Sequence, residues 1–251
     1  MRSAWGPAWG PASCKIVGMR VLLLGATGMV GQGVLRECLL DDRVTSVVTI
    51  SRTPVAQLSP KLEQVLLADL AEVGSSTPAI EALAGVDAVF YALGVSSVGM
   101  DEQAYAAVTY DLAMALGQAI RTHAGQDVRF IYVSGSGTDA TEGGRTMWAR
   151  VKGRTENDLR AMFPQAVMFR PGAIQPMHGE RTKSVWIDRV YAASRPLMPI
   201  LRRIAGSSIN DTESIGRAMI AVATGDLPPA LDDLAIFTPS DITLAAGSPA
   251  Q

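Results

Sequence analysis

Val21-Leu22-Leu23-Leu24-Gly25-Ala26-Thr27-Gly28-Met29-Val30-Gly31 is a run of four apolar residues entering a turn with glycine at every third position. A strand without a polar face suits a parallel sheet covered by helices on both sides. Gly25 permits a tight turn, Gly28 removes a side chain where a backbone must approach a diphosphate, and Gly31 lets a helix pack closely on the strand. A helix opening at Met29 presents free N–H groups and a partial positive charge to phosphate oxygens. A glycine-rich turn alone needs no ligand. Its place after the first strand and before the first helix gives it the dinucleotide reading, with Gly25, Thr27, Gly28, Met29, Val30 and Gly31 as contacts.

Outward from this turn, β-rich runs alternate with helical patterns. Strands are expected at 44–51, 65–67, 88–93, 128–134 and 167–170, with helices at 29–40, 80–83, 102–123 and 145–163. This alternation predicts a doubly wound α/β fold with a parallel sheet, its core spanning 19–175. After Pro171 the rhythm loosens, with candidate helices at 185–204 and 212–223 and a late strand at 234–237. Residues 176–251 are expected to form a small C-terminal cap at the carboxyl edge of the sheet, where such folds bind ligands. Trp186, Tyr191, Leu197, Met198 and Leu201 make that region apolar, either as core or as a wall of a substrate pocket.

The 251 residues carry 22 Lys+Arg against 24 Asp+Glu, so 22 − 24 gives −2 with both histidines neutral. With 48% hydrophobic and 18% charged residues, general disorder is excluded. The balanced charge offers no basic footprint for nucleic acid or an anionic membrane, leaving a small-molecule substrate as the expected partner of a monomer or homodimer. Cys14 and Cys38 are too few for a disulfide scaffold and lack metal-ligand spacing to His123 or His178, so no metal is expected. A reducing cytoplasm is the simplest setting. No window approaches the roughly 18 apolar residues of a membrane span.

The first 18 residues repeat Ala4-Trp5-Gly6-Pro7 as Ala8-Trp9-Gly10-Pro11, a pattern hostile to helix and ladder alike, and read as a disordered extension. The prolines interrupt the apolar stretch a signal peptide requires. Met19 directly precedes the first strand, which admits a native start there; the intact mass of the native protein decides it.

The second strand ends in Ser51-Arg52, twenty residues after Gly31, where an NAD-type ribose contact asks for Asp or Glu. Arg52 is either a solvated surface arginine or a guanidinium that grips an adenosine 2′-phosphate, which favours NADP over NAD.

The form Gly-Ala-Thr-Gly-x-x-Gly at 25–31 resembles that of the extended and atypical short-chain dehydrogenase/reductases, within the NAD(P)-binding Rossmann proteins. The resemblance runs over about 19–237 and lies near the epimerase/dehydratase-like and Tat-interacting-protein-like branches. Under it, Asp69-Leu70 matches an Asp-Leu pair beside adenine, although Asp69 serves equally as a helix cap. Ala92-Leu93-Gly94 matches the small-residue turn along the cofactor. Phe169-Arg170-Pro171-Gly172-Ala173-Ile174 resembles the family's Arg-Pro-Gly turn, which implies that Pro171, Gly172 and Ala173 lie beside nicotinamide.

Ser134-Gly135-Ser136-Gly137-Thr138 stands where the family carries a serine that binds the substrate carbonyl. Ser136 is the first choice and Ser134 the second; a loop merely turning the chain is the alternative. Lys152, four residues after Trp148, matches the family's Tyr-x-x-x-Lys frame on one helix face, with a following Gly-x-x-Glu that also matches. The resemblance implies a ribose-binding role for Lys152. Where that frame has a tyrosine that protonates the carbonyl, this chain has Trp148, whose indole N–H donates a hydrogen bond without ionising near neutral pH. Trp148 reads as a packed aromatic on the cleft wall before any chemical role. Thr109 stands near the position of an asparagine in many relatives, and His178 is a loop histidine within reach of either solvent or cleft.

Two functions follow from the resemblance. One is an NADP-dependent oxidoreductase acting on a small carbonyl or alcohol, as in isoflavone-reductase-like enzymes that lack the tyrosine and use lysine in proton transfer. The other is a non-catalytic NADP-binding sensor of the NmrA kind.

Overall fold

The computed structural model describes residues 18–180 and 209–247. Apolar strand residues alternate between two cores. In β1 (Met19–Leu24), Val21 and Leu23 enter the core shared with Val34 and Leu35, while Leu22 and Leu24 enter the one shared with Leu83, Leu116 and Leu159. From Val21 to Leu24 the strand feeds two cores and has no solvent face, which is why that run is apolar without interruption, while Arg20 before it is partly exposed and pairs with Glu63.

α1 (Met29–Leu40) follows, then β2 (Val44–Ser51), β3 (Leu62–Leu66), a 3₁₀ turn (Leu70–Gly74), α2 (Thr77–Leu83) and β4 (Ala88–Tyr91). The second half has α3 (Glu102–Ala106), a π turn (Ala107–Asp111) and α4 (Leu112–His123), then β5 (Arg129–Val133), α5 (Met147–Met162) and β6 (Val167–Phe169). The short strands β7 (Ala173–Gln175) and β8 (Ile209–Asp211) lead to α6 (Thr212–Thr224), β9 (Ile236–Phe237) and α7 (Pro239–Ala245).

The main sheet has seven strands in the order β3-β2-β1-β4-β5-β6-β9, all parallel. The order reverses between β1 and β4, and the crevice at such a switch point, outside the carboxyl ends of the strands, is where doubly wound sheets bind ligands. The expected doubly wound α/β fold is what the chain forms.

Three differences from the sequence expectation have physical reasons. The helix expected over 102–123 contains a π turn that carries the buried Thr109, an insertion hydrophobic periodicity does not resolve. Two strands end before the expected bounds, β4 at Tyr91 and β6 at Phe169, where the ladder pairing stops and the connecting loops begin. Part of the region expected to cap the sheet completes it instead. β9 pairs with β6 as the seventh strand, and α6 covers one face against α1, where an added Cβ on Gly33 would lie 2.4 Å from Thr212 Cβ. The tail 1–17, including Cys14, and the candidate helix 185–204 with its apolar residues lie outside the described residues.

Candidate functional site

The glycine turn is built around two close approaches. Gly25 has φ +91°, and a Cβ there would sit 2.6 Å from the Ala92 carbonyl and Leu93 N. The loops leaving β1 and β4 therefore touch at the switch point, and the Ala92 N–H donates to Leu24 O at 2.8 Å. A Cβ on Gly31 would fall 2.0 Å from Gly25 O. Both positions demand glycine because the chain itself fills the space.

Gly28 differs. Its backbone is ordinary and extended (φ −84°, ψ 164°), and an added Cβ would meet only Gly25 O, at 3.4 Å. The fold does not require glycine here. Gly28 caps α1 without a side-chain hydrogen bond, and the first turn of α1 carries no acidic residue. Unfilled space over bare helix N–H groups fits an anionic group approaching the backbone, the geometry a dinucleotide diphosphate needs.

On the β2 and β3 side, Arg52 is exposed with no ion pair among the described residues. Ser51 is buried, and its hydroxyl donates to Thr53 O at 2.7 Å, so the side chain is spent on its own turn. Asp69 accepts from Ala71 N at 2.9 Å and caps the 3₁₀ turn, while Leu70 is buried core. Of the two readings left open for Asp69, the helix cap is the contact formed.

On the β5 and β6 side, strand-end residues converge. The Ser134 and Ser136 N–H groups donate to Phe169 O (2.8 Å) and Pro171 O (2.7 Å), laying the serine loop beside Pro171-Gly172-Ala173. Gly172 N donates to the buried Asn210 at 3.2 Å. Lys152 on α5 directs its ammonium to Ser134 O. Burial pushes that ammonium down to about 8, with the Glu156 carboxylate opposing the change. The two serines divide: Ser134 is buried with its hydroxyl donating to Glu156 Oε1 at 2.5 Å, whereas Ser136 is exposed. Trp148 lies over the same loop, since a Cβ on Gly137 would meet its ring edge at 3.3 Å.

Sequence reasoning gave no role to Glu156 and Arg170, a buried carboxylate and a half-buried guanidinium paired at 2.5 Å, with Arg170 Nε also within 3.2 Å of both carboxylate oxygens. Glu156 is only 1% exposed. Its spacing from Lys152, four residues on the same helix face, was the available signal. His178 pairs with Glu213 on α6 at 3.0 Å. Glu37, His178 and Glu213 bring possible ligand atoms within 4.8 Å, but Arg36 and Arg217 take both Glu37 oxygens, and Arg217 also binds Glu213 at 2.7 Å. Cys38 is a buried core thiol that burial pushes up, away from reactivity.

The seven-stranded parallel sheet with helices on both faces and a glycine turn at its switch point defines a Rossmann-like α/β protein. Residues 25–187 match the family described as NAD(P)H-binding, and the chain belongs to that family. It is 30% identical over 191 residues to the mitochondrial protein fmp52 of Aspergillus niger, covering 74% of each chain. It is 29% identical over 247 residues to fmp52 of Aspergillus clavatus, covering 90% of this chain and 98% of that one. A short-chain dehydrogenase/reductase of Saccharomyces cerevisiae has the same fold, with a TM-score of 0.62 at 14% identity over 91% of this chain and 98% of its own. The cytoplasmic setting expected from cysteine usage is corrected by these relatives, which are named as mitochondrial. Two cysteines report a reducing environment and do not distinguish one compartment from another. Among the described residues, no helix is long and apolar enough to cross a membrane.

Proposed function

We propose that the protein is an NADP-dependent oxidoreductase of the short-chain dehydrogenase/reductase type, acting on a small carbonyl or alcohol. The observation that carries this reading is the half-buried Lys152 ammonium, held on Ser134 O at the carboxyl end of β5, two residues before the exposed Ser136, with its proton held at about 8. A lysine with its proton held at about 8 exchanges it readily at physiological pH, which a tryptophan at position 148 cannot do. When bound, the nicotinamide cofactor supplies or accepts hydride. The Met29, Val30 and Gly31 N–H groups would hold its diphosphate, and Arg52 its 2′-phosphate. In the reductive direction Lys152 Nζ delivers a proton to the substrate oxygen, and Ser136 Oγ donates a hydrogen bond to that oxygen as charge builds on it. Ser134 serves through its carbonyl, its hydroxyl being engaged by Glu156. The setting proposed is the mitochondrion, as the names of the relatives support.

The test is a titration with NADPH and NADH, followed by turnover on a panel of aldehydes, ketones and alcohols. Tight NADPH association with turnover is expected; no association with either nucleotide at millimolar concentration would remove the proposal. Arg52→Asp is expected to reverse the preference from NADP to NAD by an order of magnitude or more, roughly 1.4 kcal/mol per tenfold. Unchanged selectivity would return Arg52 to the status of a surface arginine.

Trp148 favours a second reading, a non-catalytic NADP-binding sensor. Trp148→Tyr separates the two. With the remaining site intact, restoring a phenol four residues before Lys152 raises reductase activity at least tenfold, below the roughly 10²–10⁴ that general acid catalysis typically contributes because Lys152 already carries part of it. A sensor gains nothing.

A further inference from the structure

We propose that Glu156 is the positioning residue of this site: by accepting the Ser134 hydroxyl and holding Arg170, it fixes the Ser134 carbonyl that receives the Lys152 ammonium. The inference deepens the function proposed above and rests on it for the role of Lys152.

The geometry is a closed chain of contacts. Lys152 Nζ donates to Ser134 O. Ser134 Oγ donates to Glu156 Oε1 at 2.5 Å, and the Ser134 N–H to Phe169 O at 2.8 Å. Arg170, next in sequence after Phe169, closes on Glu156 through Nε and Nη2. A serine peptide held at its N–H and at its hydroxyl has little freedom left, so its carbonyl oxygen stays where Lys152 needs it. The Ser134 hydroxyl also lies 3.1 Å from Phe169 O, and Glu156 is the charged side chain that touches both Ser134 and Arg170.

Stability does not explain such a residue. Burying the Glu156 carboxylate costs desolvation that apolar residues avoid, and replacement of an ion pair in such a setting is often neutral or stabilising. What an apolar pair cannot do is accept a serine hydroxyl or place a negative charge one helical turn from the Lys152 ammonium. The charged and titratable surroundings are few. Glu156 faces Lys152 from its own helix, and Arg170 faces Glu156 from the end of β6. Tyr132 faces the pair from β5 as a neutral phenol, pushed up by burial. Of the α5 arginines, Arg150 pairs with Glu102, Arg154 lies over the Tyr110 ring, and Arg160 stands exposed in the last turn of the helix.

The experiment uses the full chain without nucleotide. Its lysines are reductively methylated with ¹³C-formaldehyde, which leaves a titrating amine that retains one N–H donor. The Lys152 methyl resonance, assigned by its loss in Lys152→Arg, is followed against pH. The parent is expected to titrate near 8, and Glu156→Gln lower by about one pH unit, because the opposite charge is gone. An unchanged midpoint in a folded Glu156→Gln protein overturns the proposal. Where the single variant fails to fold around an unpaired Arg170, the double variant Glu156→Gln/Arg170→Gln decides. A midpoint still below that of the parent supports the proposal; a midpoint restored to the parent's value overturns it and makes Glu156 a structural partner of Arg170. Added NADPH reads the other question separately. A Lys152 resonance that ignores NADPH counts against the ribose role, while the nucleotide-free titration still judges Glu156.

Discussion

Lys152→Met is expected to lose about 10²–10⁴-fold in turnover while the folded protein becomes more stable at pH 7, by roughly 1–3 kcal/mol, the upper end being the full burial penalty and the lower end what is left once the contact to Ser134 O is lost. The two effects have one cause. In water a lysine ammonium loses its proton near 10.5, and burial beside the Ser134 carbonyl brings this one to about 8. Below pH 8 the folded chain carries a charge that its surroundings solvate worse than water does, which weakens the fold. Between 8 and 10.5 the folded chain has released that proton and the unfolded chain has not, so the stability of the parent rises with pH. Above 10.5 neither state is charged and the penalty is gone. Methionine fills the same volume without charge, so its advantage is largest below pH 8 and disappears toward pH 10.5. Denaturant melts of both proteins at pH 7 and pH 10, together with turnover, check this. A variant less stable at pH 7 would show that Lys152 is a structural ion; full activity would remove it from the chemistry.

The glycines of the first turn separate folding from binding. Gly31→Ala is expected to cost about 3 kcal/mol or more, because its Cβ would fall 2.0 Å from Gly25 O and 2.6 Å from Gly25 C, backbone that cannot move without separating α1 from β1. Gly28→Ala is expected to melt within about 0.5 kcal/mol of the parent, since its extended backbone suits any residue and its Cβ would meet one oxygen at 3.4 Å. The same methyl group would stand where the nucleotide diphosphate approaches α1. Affinity for NADPH is therefore expected to fall about 100-fold, roughly 2.7 kcal/mol. Calorimetric titration and thermal melting of each variant give both numbers. Undiminished NADPH binding by a folded Gly28→Ala protein would leave the glycine without a reason and the diphosphate without a place.

The fold was legible because its signals are local. An uninterrupted apolar strand, glycines at 25, 28 and 31 and the repeated alternation of strand and helix patterns specify a parallel, doubly wound sheet wherever they occur. Lys152, Trp148 and the serine loop were legible through the resemblance of their motifs to those of the short-chain dehydrogenase/reductases, not through periodicity. The sequence alone could not divide labour between Ser134 and Ser136, because that depends on which hydroxyl meets a carboxylate twenty-two residues away. Nor could it show that Gly25 and Gly31 are filled by the chain itself while Gly28 is not. The Glu156–Arg170 pair was hidden for the same reason: one residue lies on a helix and the other ends a strand, and only the sheet order brings them together. Local periodicity determines which elements form, but partners distant in sequence meet only after the cores on both faces of the sheet have closed, so the electrostatics of the site belong to the tertiary structure.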